Sequence, residues 1–225
     1  MRRSVCNSAS HDAPLRVLLV LGSTRAKRIN GAVAAHVRHR LEARGHEVDV
    51  LDPRESHDGF FMRLMEKAYF HYKPGEEVPP ALAAAAAQVR AADAYIAVTP
   101  EYNHSIPPAL TNTMNYFGSS SYAQKASGIA TYSAGMWGGA RCGAALRPYL
   151  SELGCLPVSA TMQLAGAWKP GTFETETGLL PEDAMGAKLC ERMLDQLVWA
   201  ASSLRAKRWQ DAEAAAAAAE PLPPE

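Results

Sequence analysis

Residues 16–25 read RVLLVLGSTR, and that stretch decides the fold. An unbroken apolar run, Val17 to Leu21, stops at Gly22, which is how a strand buried on both faces of a parallel sheet reads. The crossover helix that such a strand needs follows at 30–44. Val33, Ala34, Val37 and Leu41 recur at intervals of three and four, with Arg38, Arg40 and Glu42 between them, and Gly45 ends the helix. HEVDVLD (46–52), with Val48 and Val50 alternating, reads as a second strand.

The same rhythm continues along the chain. AYIAVTP (94–100), KASGIATYS (125–133) and LPVSATMQL (156–164) read as strands three to five. Helices are expected at 80–92, at 108–117 behind Pro107 and Pro108, and at 139–154, where Pro148 bends the helix and Gly154 ends it. Residues 182–208 read as a long last helix with Met185, Leu189, Met193, Leu197 and Leu204 on one stripe. Strand and helix alternating through five strands means an α/β fold, an open parallel sheet with helices on both faces. Residues 52–80 break the rhythm. Their aromatic segment FFMRLMEKAYFHYK (60–73) is either an interface or functional insertion, or a short packed helix.

The chain has 225 residues, with 23 basic and 23 acidic side chains and 48% hydrophobic residues. That length suits one domain, expected here over residues 16–208, between a flexible leader at 1–15 and a low-complexity tail at 209–225. Zero net charge removes the electrostatic case for a nucleic-acid binder, which needs clustered excess Lys and Arg. No apolar run reaches the ~18–20 residues of a membrane span, so no membrane partner is expected. The first residues lack a secretory apolar stretch, and a cytoplasmic protein is expected, with organelle targeting by the short leader left open. Cys6, Cys142, Cys155 and Cys190 lack metal-ligand spacing and read as packing residues of a reducing compartment, and no metal is expected.

In an open parallel sheet the ligand sits beyond the carboxyl ends of the strands. Three such ends carry unusual sequence. GSTRAKRIN (22–30) offers backbone N–H groups ahead of a helix, hydroxyls from Ser23 and Thr24, and the Arg25 guanidinium. It suits a phosphate, or else Ser-Thr is simply a helix cap, and Asn30 either caps the helix or binds an oxygen. Walker and GxGxxG spacings are both absent. TPEYNHS (99–105) combines a proline-fixed turn, an aromatic face and backbone amides, which a planar aromatic ligand wants. SAGMWGG (133–139) is glycine-rich and can approach a ring edge closely. His104-Ser105 lacks the geometry of a nucleophile elbow. Glu101 is either a general base or a partner of a helix or loop. His36 reads as a solvated helix residue.

With PEYNHSIP ahead of a helix and YSAGxxGGxR further on, the chain resembles the NADPH-dependent FMN reductase family from about Val17 to Gln163. The resemblance implies a flavodoxin-like fold with strand order 2-1-3-4-5 and an oxidoreductase that binds FMN. It implies that Ser23, Arg25 and Asn30 hold the FMN phosphate. Pro100, Glu101, Tyr102 and Asn103 would contact the isoalloxazine, and Ser133, Ala134 and Gly135 would line the rest of the ring. It further implies NADPH or NADH as donor and ping-pong transfer of two electrons to a small-molecule acceptor such as a quinone, an azo compound, chromate or free flavin, in a homodimer or homotetramer. Backbone N–H groups of the PEYN loop would face the ring. Arg28 stands where the family often has a small residue, which makes the phosphate pocket more basic. A flavin-binding regulatory protein with slow turnover is the alternative reading.

Overall fold

The computed structural model describes residues 13–219. Its parallel sheet is built from β1 (Arg16–Leu21), β2 (Glu47–Leu51), β3 (Ala94–Pro100), β4 (Ala126–Tyr132), β5 (Leu156–Pro157) and β6 (Met162–Leu164). The order is β2-β1-β3-β4-β5, with β6 also paired to β4. That is the flavodoxin-like order, in which the sequence of strands reverses between β1 and β3. The apolar runs of β1 and β3 fill both faces. Val17, Leu19 and Leu21 point to one core layer with Ala94, Ile96 and Val98, while Leu18 and Val20 join Tyr95 and Ala97 in the other.

The first layer is covered by α1 (Asn30–Glu42) and α6 (Met185–Ala219), the second by α2 (Pro80–Ala91), α3 (Pro108–Asn115) and α5 (Ala140–Glu152). A single turn, α4 (Ser119–Tyr122), lies between α3 and β4. The buried stripe of α6 is Cys190, Met193, Leu194, Leu197 and Ala201, so Met185, at the helix start and 69% exposed, is off the stripe expected for it. This helix lies close to the sheet because Gly128 in β4 leaves room: a Cβ there would meet Met193 Sδ at 3.2 Å. The alanines after Asp211 continue α6 to Ala219, as high helix propensity allows, with exposed side chains through residue 218.

The fifth strand is not the continuous segment 156–164 expected from its pattern. β5 and β6 both pair with β4, yet four residues, Val158 to Thr161, stand opposite only Gly128 and Ile129. The extra residues leave the ladder for other partners. Arg147 donates to the carbonyls of Val158 and Ser159, and Gln196 Oε1 accepts from Ala160 N. The insertion 52–80 forms short 3-10 turns at Ser56–Met62 and Tyr69–His71. Phe61 is buried against Tyr116 and Phe117, at ring distances of 5.1 and 6.1 Å, while Met62, Leu64 and Phe70 stay exposed. Packing, one of the two sequence readings of this segment, thus holds for Phe61, in short 3-10 turns rather than one helix.

The expected leader lies outside the described residues up to residue 12. Its end is held at the amino edge of the sheet, where Leu15 is buried and Arg205 donates to the carbonyls of Ala13 and Pro14. Cys142, Cys155 and Cys190 are free and buried, and burial pushes each thiol up to about 12, so they pack rather than react. Cys6 falls outside the described residues.

His36 is not the solvated residue expected from α1. It is 3% exposed, and its Nδ1 accepts from Leu180 N. Burial, helped by Arg40 and His39 and opposed by Glu191, lowers its pKa. The unfolded chain therefore binds the proton more readily, and stability falls as pH drops below about 6.5, the unperturbed histidine value. His46, also lowered by burial, acts in the same direction. The melting temperature of His36→Gln, whose side chain can still accept from Leu180 N without titrating, is expected to fall less between pH 7 and pH 5 than that of the wild type. Equal slopes would contradict the assignment.

Candidate cofactor site

The three unusual loops converge at the carboxyl edge of the sheet, over the β1/β3 reversal. Gly22 brings the first two together: its N–H donates to Val98 O at 3.0 Å, and a Cβ on it would lie 2.0 Å from Thr99 Oγ1. Ser23, buried, shares a 2.7 Å hydrogen bond with Tyr102 Oη, and the Arg25 guanidinium lies 3.9 Å over the Tyr102 ring. The amides of residues 23–27 take no partner among the described residues.

Asn30 caps nothing. It is the first residue of α1, the N-cap is Ile29, and Asn30 Nδ2 donates to Ser23 O at 3.2 Å, holding the loop from beneath. Ser23 and Thr24 are not the helix cap either. Arg28 does not add free positive charge to the pocket. Its guanidinium pairs with Asp52 at 2.6 Å and Glu55 at 2.5 Å and donates to Ser23 O, so two carboxylates neutralise it and it braces the loop.

The second loop turns tightly. Tyr102 and Ser105 exchange both backbone hydrogen bonds, with Asn103 (φ 50°) and His104 (φ 62°) at the tip, both in the left-handed region that a type I′ turn requires. Tyr102 N is thereby used and Glu101 N donates to Tyr132 O, so neither of these amides is offered to a ligand. Glu101 is no general base. Its carboxylate accepts from the backbone N–H groups of Arg141 (2.9 Å) and Cys142 (3.1 Å) and from the Arg141 guanidinium (3.1 Å) at the start of α5. Burial would raise its pKa, but these three donors outweigh burial and hold it below the usual carboxylate value. Glu101 thus ties the second loop to the third.

The third loop is closed by Gly138 and Gly139, both at positive φ. A Cβ on Gly139 would meet Thr131 Cβ at 2.7 Å. Ser133 N donates to Leu164 O, and Ala167 N donates back to Ser133 O, which places the segment after β6 beside this loop. Trp168 on that segment stands against Tyr132, ring to ring at 5.8 Å.

Together the loops enclose a cleft of about 400 Å³ lined by Ser23, Arg25, Lys27, Arg28, Pro100, Tyr102, Ala134 and Trp168. Of the residues expected from sequence, Ser23, Arg25, Pro100, Tyr102 and Ala134 line it, whereas Asn30, Glu101, Asn103, Ser133 and Gly135 do not. Sequence reasoning missed Trp168, which closes AGAW (165–168), the stretch directly after the strand end at Leu164. A larger cavity of about 520 Å³ lies far from the strand ends, between α1 and α6. The ion pairs of Arg40 and Arg44 with Glu191 cross that seam, which marks it as helix packing.

The cleft fits FMN on its own evidence. It has unused amides and cationic side chains at one end for a phosphate, aromatic walls from Tyr102 and Trp168 for a planar ring, and a glycine whose hydrogen is all that the approach of two loops permits. Among the described residues, no helix is long and apolar enough to cross a membrane and no His, Cys, Asp or Glu group could hold a metal ion.

Comparison with known proteins agrees. Residues 15–169 match the NADPH-dependent FMN reductase family. The quinone reductase of Escherichia coli K12 is 30% identical over 155 residues, 68% of this chain and 78% of that protein. Among solved structures, FerB from Paracoccus denitrificans, a flavoenzyme NAD(P)H:(acceptor) oxidoreductase, aligns with a TM-score of 0.64 at 22% identity, covering 84% of this chain and 98% of FerB. An oxidoreductase from Corynebacterium diphtheriae aligns with a TM-score of 0.57 at 17% identity, over 87% and 99% of the two chains.

Proposed function

The chain belongs to the NADPH-dependent FMN reductase family and is an FMN-dependent NAD(P)H oxidoreductase, and from that premise we propose that it reduces quinones by a ping-pong sequence in which donor and acceptor use one cleft in turn. FMN, when bound, supplies the two-electron hydride chemistry. The residues of this chain supply position. Ser23, Arg25, Lys27 and the amides of residues 23–27 hold the phosphate, Arg28 and Asn30 brace that loop, and Pro100, Tyr102, Ala134 and Trp168 wall the ring. Glu101 fixes the second loop against α5, and Asn103, Ser133 and Gly135 shape the turns on either side.

The observation that carries the reading is the aromatic cleft at the β1/β3 reversal. A cavity of about 390 Å³ beside the ends of β1 and β2, lined by residues such as Leu21, Val50, Asp52 and Glu55, has no aromatic wall, whereas the cleft of about 400 Å³ has Tyr102 and Trp168. Donor and acceptor therefore seek the same face, and the donor must leave before the acceptor enters. Quinone is favoured among acceptors because the walls are aromatic and the Escherichia coli relative is a quinone reductase. Azo compounds, chromate and free flavin are the other acceptors to compare.

Initial rates of NADPH oxidation at several menadione concentrations test this. Parallel double-reciprocal lines, with turnover of about 1 per second or more, are expected. Intersecting lines would contradict the shared cleft, and turnover far below that range would support a flavin-binding regulatory protein instead. The exposed Met62, Leu64 and Phe70 on the insertion further support a homodimer or homotetramer, which a monomer in light scattering at micromolar concentration would contradict.

A further inference from the structure

Tyr132 closes β4 with its side chain fully buried, and its ring belongs to the core layer under α1 and α6 and packs on Trp168. Ring packing explains an aromatic residue but not a hydroxyl, for which Phe would serve. The Tyr132 hydroxyl is buried without a hydrogen-bond partner among the described residues, an arrangement that costs stability and calls for a reason. Its polar surroundings are drawn from three strand ends: Ser23 and Arg28 of the first loop, Tyr102 of the second, and Asp52 after β2. Ser23 is already bonded to the second phenol, Tyr102 Oη, at 2.7 Å.

A serine hydroxyl has two lone pairs and one proton. In the structure only Tyr102 is bonded to Ser23; with cofactor bound, both phenols would donate to Ser23, filling its lone pairs, and its proton would be given elsewhere. The remaining open side is the cleft, where Arg25 and Lys27 stand and the amides of residues 23–27 have no partner. A hydroxyl that accepts two hydrogen bonds is also polarised into a stronger donor. We propose that Tyr132 is a positioning residue for cofactor binding: with Tyr102 it fixes the Ser23 hydroxyl as a hydrogen-bond donor to the cofactor's phosphate.

This rests on the FMN reading of the cleft and adds a residue and a direction of hydrogen bonding to it. It predicts an effect confined to the phosphate, so riboflavin, which lacks that group, is the control. The flavin-free full-length protein is titrated with FMN and with riboflavin by flavin fluorescence, for wild type, Tyr132→Phe, Ser23→Ala and the double variant. The expected result for Tyr132→Phe is an FMN Kd raised about 5- to 20-fold with a riboflavin Kd within about twofold of wild type. Its effect should vanish in the Ser23→Ala background. The melting temperature of flavin-free Tyr132→Phe should equal or exceed that of wild type, since the variant removes an unpaired buried hydroxyl.

An unchanged FMN Kd, or equal weakening of FMN and riboflavin, would overturn the proposal. So would a Tyr132→Phe effect that persists in full without the Ser23 hydroxyl. A wild type that binds neither flavin would overturn the FMN reading itself, and the proposal with it.

Discussion

Replacing Gly22 by alanine is expected to abolish retention of FMN through purification and to lower the unfolding free energy by roughly 2–4 kcal/mol, as overpacking of a buried contact does. The added Cβ would lie 2.0 Å from Thr99 Oγ1 and 2.6 Å from Thr99 Cβ. Neither side can yield cheaply. Thr99 is fully buried in β3 with its hydroxyl on Pro100 O at 3.1 Å, and Gly22 is tied to Val98 O. The two strands that would have to part flank the reversal point of the sheet, so the first and second loops would separate and the cleft between Ser23 and Tyr102 would open. Thr99→Gly removes both close atoms, and the double variant Gly22→Ala/Thr99→Gly should recover part of the lost binding. Wild-type FMN content and melting behaviour in Gly22→Ala would contradict this account of the switch point.

Glu101→Ala is expected to destabilise the fold by about 2–4 kcal/mol and to loosen the cleft at two walls at once. The carboxylate, 8% exposed in its side chain, satisfies two amides at the start of α5 and the Arg141 guanidinium. Alanine leaves those amides without a partner where the helix dipole is positive, and no other carboxylate is bonded there among the described residues. Glu101→Gln keeps an oxygen acceptor and should lose less. Since the folded carboxyl is held below its ordinary pKa, this stabilisation is present above about pH 4.5, a value near that of an unperturbed glutamate, and is lost as pH falls through the folded value. The acid limb of a stability-pH curve should therefore flatten in the alanine variant. Urea unfolding at pH 7 checks the main effect, and a change under about 0.5 kcal/mol, the range of neutral surface substitutions, would refute it.

The frame of this molecule was legible where local sequence and tertiary need coincide. β1 and β3 lie where the apolar runs 16–21 and 94–100 place them, because a strand buried on both faces needs nothing but apolar residues and a breaker at its end. The split of β5 from β6 was not legible. Its apolar pattern runs on, and what diverts Val158 to Thr161 is a pair of side chains, Arg147 and Gln196, that reach it from other helices. The same distance in sequence hid the roles at the site. The loops named themselves by composition, but Arg28 is neutralised by Asp52 and Glu55 from the end of β2, and Glu101 is turned toward α5 by amides forty residues away. Trp168 escaped although the expected fifth strand ended at Leu164 as β6 does, because nothing local in residues 165–168 marks that the chain there folds back beside Ser133. His36 has the sequence neighbourhood of a surface helix residue, and only the return of Leu180 over α1 buries it.

The central claim is that this strand-end cleft holds FMN, and the visible spectrum of the purified protein tests it most directly, followed by release and identification of the chromophore on heating. Flavin absorption bands and FMN released at about one per chain, the stoichiometry of a single buried site, are the result this account predicts. A colourless protein that also takes up no added FMN would contradict it.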